Sequence, residues 1–147
     1  MEKKIDFSPK NIEALTKFLE QNKGVDFTTF DLSTENGIEK LNFKNLIKKK
    51  QSLLPLIKAY QRLLRIVPDR EKNTALVLLE EGVHSALQIT SMTRKDFVAK
   101  FLQPFGGNRE FIEKIYHNAL NKRSVLLIQY MNMLQNNEPH ISAARFK

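Results

Sequence analysis

An all-α compact bundle of short helices, closed by one long C-terminal helix, is what the sequence predicts. Three observations lead there. Apolar residues recur at three- and four-residue spacing from end to end, and no stretch sustains the alternation of a half-buried strand. Side chains that cap helix N-termini (Ser8, Ser85, Thr93, Asn108) stand directly before apolar runs. Glycines at Gly82 and Gly106-Gly107 fall where such runs end.

The elements follow in order. Ser8-Pro9 ahead of Ile12, Leu15, Phe18 and Leu19 reads as an N-cap, a first-turn proline and the apolar face of a first helix, running out near Asn22 to Gly24. Val25 to Leu32 (VDFTTFDL) reads as a loop pinned by the rings of Phe27 and Phe30. Gly37 interrupts the next run, after which Ile38, Leu41 and Phe43 make a short helical turn. Residues 44 to 66 then form an amphipathic helix. At about 100° per residue, Lys44, Lys48, Lys58, Arg62 and Arg65 share one face, opposite Leu46, Leu53, Ile57, Tyr60, Leu63 and Leu64. Pro55 lacks an amide hydrogen and crowds the carbonyl of Gln51, which predicts a kink or short break.

Pro68 ends this helix, and Asp69 is placed to cap the next, which buries Ala75, Leu76, Leu78 and Leu79 and closes at Gly82. A helix from Ser85 to about Ser91 buries Ala86, Leu87 and Ile89. Thr93, with Asp96 three residues on, opens another that buries Phe97, Val98 and Phe101 before Pro104 stops it. Asn108 caps a long helix from about Arg109 to Gln135, with Phe111, Ile112, Ile115, Ala119, Leu126, Tyr130, Met133 and Leu134 at helical spacing. The expected organisation is one all-α domain over 1–136, comprising an N-terminal helix and loops (1–43) and a core helical unit (44–136), then a flexible tail at 137–147.

The net charge of +8 is concentrated. Between Lys40 and Lys72 stand ten basic residues against two acidic ones, and the rest of the chain balances to zero. The basic stripe reads either as a solvated face or as a docking surface for phosphates or an acidic partner. A second candidate anion contact is Gly107-Asn108-Arg109, where amides at a helix start can hold a phosphate and Arg109 stands beside them. The other reading of these glycines is a simple turn.

Chemistry is otherwise sparse. The absence of cysteine removes disulfides, thiolate metal sites and thiol nucleophiles together. His84, His117 and His140 lie in three separate segments, whereas a metal site needs at least three convergent donors, so no metal or cofactor is expected. His84-Ser85 lacks an orienting acid, Glu80-Glu81 reads as the end of an exposed helical face, and no phosphate-binding Gly-x-x-x-x-Gly-Lys loop occurs. The expectation is a protein that is not an enzyme and takes no small-molecule substrate. Neither a signal peptide nor a membrane span is read from MEKKIDFSPK or from the longest apolar stretches, Ala75 to Leu79 and Val125 to Ile128.

The series Leu78-Leu79, Gly82-Val83, Ser85-Ala86, Ile89, Thr93, Asp96-Phe97, Gly107, Ile112, Ile115-Tyr116 and Ala119 resembles a helix-hairpin-helix or SAM-like unit, in which short helices pack around glycine-cornered turns. More specifically, Gln61-Arg62-Leu63-Leu64-Arg65, Val67-Pro68, Leu78-Leu79, Gly82, Ser85-Ala86, Ile89, Arg94, Phe97, Ile115-Tyr116 and Ala119, with Phe30-Asp31-Leu32 upstream, resemble a helical segment of the A subunits of Tc insecticidal toxin complexes and their virulence-plasmid relatives. Those are very large proteins, and their pore-forming and receptor-binding parts are not carried over. The resemblance implies a bacterial helical shell or adaptor module, cut from a larger toxin-like protein or free-standing beside a secretion apparatus, with other subunits or domains of that assembly as partners. The alternative is a helix-hairpin-helix nucleic-acid binder using the basic helix.

Overall fold

The computed structural model describes residues 5–137. Seven α-helices follow one another: α1 (Pro9–Gln21), α2 (Glu35–Glu39), α3 (Lys50–Leu64), α4 (Lys72–Glu80), α5 (Ala86–Thr90), α6 (Arg94–Phe101) and α7 (Arg109–Asn137). Single 3₁₀ turns precede α3 (Ile47–Lys49) and α4 (Pro68–Arg70), and no strand occurs among the described residues. Asn137 apart, the tail expected at 137–147 lies outside the described residues, as does His140.

The helix starts follow from local chemistry. The side-chain oxygens of Ser8, Ser85, Thr93 and Asn108 accept the amides of Asn11, Gln88, Asp96 and Phe111 at 3.1 to 3.4 Å. Each bond satisfies an otherwise orphaned first-turn donor, worth about 1 kcal/mol. Thr34 does the same for Gly37 and starts α2. At the end of α4, Gly82 takes φ +79°, the Val83 amide donates back to the Leu78 carbonyl at 3.0 Å, and the Gly82 amide to that of Leu79 at 2.9 Å. These are the two bonds of a Schellman motif, and the left-handed residue they require is why glycine stands there.

The loops of the N-terminal third are built differently, on a short repeated device. Asp6, Asp26, Asp31 and Asn42 each accept, through a side-chain oxygen, the amide two residues on. The residue inside each turn is apolar: Phe7, Phe27, Leu32 and Phe43. Phe27, Leu32 and Phe43 are buried and Phe7 packs on the core, so every turn drives one apolar side chain inward. Hydrogen bonds hold these aspartates ionised. The Ser8 amide lowers the pKa of Asp6, and the hydroxyls of Thr28 and Ser33 do so for Asp26 and Asp31.

Buried amides latch the loops to the helices. Gln61 on α3 donates to the carbonyls of Phe27 and Phe30 at 2.7 and 2.6 Å. Asn22 donates to the Asn42 carbonyl at 3.0 Å and accepts its amide at 2.9 Å. Asn11 donates to the carbonyls of Asp6 and Ser52. These bonds satisfy groups that the loops would otherwise leave unpaired away from water. One apolar core results, shared by residues from 12 to 119, with Leu53, Leu56, Ile57, Tyr60 and Leu63 of α3 at its centre.

Several expectations need correction. The basic helix starts at Lys50, not Lys44, because Asn42 turns the chain and Asn45 takes a left-handed φ of 65°. Lys44 therefore precedes the helix and Lys48 sits in the 3₁₀ turn. Pro55 does not interrupt α3: it lies early in the helix, where the Gln51 carbonyl forgoes one donor at an exposed residue. Gly37 lies inside α2 rather than ending a run, because a Cβ there would run into the Asp31 carbonyl. Asp69 does not cap α4. With φ 57° it belongs to the preceding turn, and Glu71 stands at the cap without a side-chain bond. Leu76 is only partly buried and Leu87 is half exposed, as are the apolar residues of α7 beyond Lys122.

Candidate functional site

The outer stripe of α3 consists of Gln51, Leu54, Pro55, Lys58, Arg62 and Arg65, at steps of three and four residues that place them on one face. After Gln51 it is apolar at Leu54 and Pro55, then cationic at Lys58, Arg62 and Arg65. The opposite face fills the core, so this stripe is held rigidly outward, as expected for Lys58, Arg62 and Arg65.

Two other helices turn the stripe into a groove. The α4–α5 corner brings His84 and Leu87 alongside, and α7 adds Lys122 and Leu126. The result is an open groove of about 1280 Å³. Leu54, Pro55, Leu87 and Leu126 provide apolar surface, Lys58, Arg62, Arg65 and Lys122 provide four cations, and no carboxylate lines it among the described residues. Arg62 Nε donates to the His84 carbonyl at 3.2 Å and Arg65 Nε to that of Thr28 at 3.2 Å, which fixes where both guanidinium groups lie. Phe7 stacks on the His84 ring at 6.2 Å between centroids and steadies that corner. Lys58 and Arg65 have no carboxylate partner among the described residues.

The other candidate residues lie apart. Lys44 and Lys48 are exposed but outside the groove. Arg109 stands about 20 Å along α7 from Lys122, so Gly107-Asn108-Arg109 forms no common surface with the stripe. The amides there are also engaged: Gly106 donates to Gln103, Gly107 to Leu102, Asn108 to Phe105 and Arg109 to Gly107. Phosphate capture at a helix start uses amides that point outward without acceptors, and this turn presents no such row.

The groove's remaining residues escaped sequence reasoning. Helical spacing places Leu87 with the core, and Lys122 comes from a helix distant in the chain, so no local pattern pairs them with Lys58. Among the described residues, no group of three His, Cys, Asp or Glu side chains converges as a metal ion would need, and no helix is long and apolar enough to cross a membrane. Comparison with family models, with curated proteins and with solved structures finds no match to this chain.

Proposed function

We propose that this chain is a non-enzymatic interaction module whose α3–α5–α7 groove receives an acidic amphipathic segment of a partner protein. The observation that carries the reading is the pairing, in one groove, of an apolar floor with four cations and, among the described residues, no carboxylate. An amphipathic helix lays apolar anchors into such a groove while carboxylates at its edge meet Lys58, Arg62, Arg65 and Lys122. Nucleic acid fits less well, because the apolar part of the stripe offers a phosphate backbone nothing and the stripe carries no aromatic platform for bases. On the resemblance of the residue pattern to Tc-toxin A subunits, the partner we assign is another subunit or domain of a toxin or secretion assembly.

The test uses a helical peptide with leucine on one face and glutamate on the other, and the same peptide with lysine for glutamate. The glutamate peptide binds and shifts the NMR resonances of Leu54 and Leu87, and the lysine peptide does not. Reversing Lys58 and Arg62 together (Lys58→Glu, Arg62→Glu) weakens binding by at least about tenfold. Equal binding of both peptides overturns the reading. Tighter binding of duplex DNA, with affinity falling steeply as salt rises, replaces it with the nucleic-acid alternative. Co-purification with the other components of the parent assembly checks the assigned partner.

A further inference from the structure

Apart from Leu126, which edges the groove, neither the core nor the groove accounts for the C-terminal half of α7. Residues 123–136 are all exposed. Leu126, Leu127, Tyr130, Met133 and Leu134 nonetheless fall on one face, in angular phase with Ile112, Tyr116 and Ala119, which are buried against the bundle. The stripe that docks the first half of α7 thus continues past the point where its partner elements end. Their exposures run from 36% at Leu126 to 55% at Tyr130.

The physical character of this face selects its occupant. No charged residue occurs from Ser124 to Asn137, although the chain carries +8 overall. Two copies can therefore meet here without confronting cations, which is not true of the basic stripe on α3. The exposed apolar side chains of this face present on the order of 500 Å², below what each partner contributes to a standard interface and in the range of a weak dimer that dissociates on dilution. A projecting helix of this length, without charged pairs or tertiary contacts, is marginal in water and gains from a partner.

We infer that α7 beyond Lys122 is a self-association surface, where two copies of the chain pair these helix ends antiparallel about a two-fold axis near Tyr130. In that arrangement Leu126 of one copy meets Leu134 of the other, Leu127 meets Met133, and Tyr130 meets its own counterpart, as an isologous contact requires. Ser124 and Val125 then lie level with the uncharged Asn136 and Gln135 of the other copy, and Arg123 with Asn137.

Sedimentation of the full chain across concentrations tests this. The expected result is a species of twice the 17.1 kDa chain mass that dissociates on dilution. Tyr130→Asp sets two carboxylates against each other at the axis and weakens association by about 100-fold or more, with helix content unchanged. The natural chain has no cysteine, so a second reading is available: Tyr130→Cys cross-links rapidly under mild oxidation, whereas Ile47→Cys, at a side chain 73% exposed elsewhere, does not. A monomer at all concentrations up to about 200 µM overturns the inference, whether residues 138–147, lipid or another protein covers the face. A dimer insensitive to Tyr130→Asp, or equal cross-linking at both positions, overturns it as well.

Discussion

Residues 109–120 and 122–136 belong to one helix and carry apolar side chains in the same phase, yet only the first stretch is covered. Ile112, Ile115 and Ala119 are fully buried, while Leu127, Tyr130 and Leu134 are 43 to 55% exposed. The difference lies in what stands opposite. The first half packs on α5, α6 and the Pro68–Arg70 turn. It is latched by Tyr116, which donates to the Met92 carbonyl at 2.7 Å, and by Asn118, which donates to that of Ile66 at 2.8 Å. The second half has outrun those elements. A helical apolar pattern therefore specifies a face that wants covering, and the cover is decided elsewhere in the chain or outside it.

The largest effect expected from this contrast is a matched pair of truncations. Ile115→Ala removes fully buried atoms and leaves a cavity, at a cost of about 2–5 kcal/mol. Leu127→Ala, read in dilute protein where copies are apart, changes unfolding free energy by no more than about 0.5 kcal/mol. Urea unfolding of both variants decides the matter, and comparable losses would abolish the distinction between the two halves.

Tyr60 offers the converse, a polar atom sealed inside while apolar ones stand outside. Its side chain is fully buried, its ring meets Phe27 edge-on, and its hydroxyl has no hydrogen-bond partner among the described residues. Burial pushes its pKa up from 10.0 to about 12. The folded state thus holds this proton more tightly than the unfolded chain does. The resulting stabilisation is complete below pH 10 and is lost as pH rises through 12. In Tyr60→Phe the loss is absent, so the stability of the natural chain relative to the variant should fall by about 2 kcal/mol across that window. At pH 7 the variant should equal the natural chain or exceed it by up to about 1 kcal/mol, because no hydrogen bond is broken. Matched urea titrations at the two ends of the window provide the measurement, and parallel curves would mean that the hydroxyl reaches water.

Much of the architecture could be read from residue types alone. Ser8-Pro9, Ser85, Thr93 and Asn108 start helices because their oxygens reach first-turn amides, and Gly82 ends one because its φ is positive; both are local effects. The N-terminal boundary of α3 was missed because the basic periodicity runs through Asn42 and Asn45, whose turn chemistry outweighs it. The Asp–apolar–Ser/Thr turns at residues 6, 26 and 31 were equally available as signals, since each pairs a short acceptor with an amide two residues on. The candidate site was visible only in part. Lys58, Arg62 and Arg65 follow from the helical wheel of α3, but the groove they edge needs Leu87 and Lys122 from elements far along the chain.

The smallest expected effect concerns one of the partners of the covered half of α7. Asp69 and Arg70 take φ of 57° and 51° in succession, a left-handed conformation that costs an L-residue roughly 1–2 kcal/mol, less for Asp. The chain accepts this because the strained pair is anchored. Val67 and Pro68 are buried before it, and Arg70 itself donates to the Thr28 hydroxyl at 3.1 Å. Asp69→Gly relieves the clash of Cβ with the backbone but gives the unfolded chain more freedom, so the two terms partly offset. The net expectation is a gain of about 0.5–1 kcal/mol, seen as a higher urea midpoint at constant slope. Asp69→Val, which cannot relax into this region, should lose at least as much. If glycine destabilised instead, the Asp69 carboxylate would be contributing more than the strain it brings, and the turn that covers the first half of α7 would be held by charge and not by its buried neighbours.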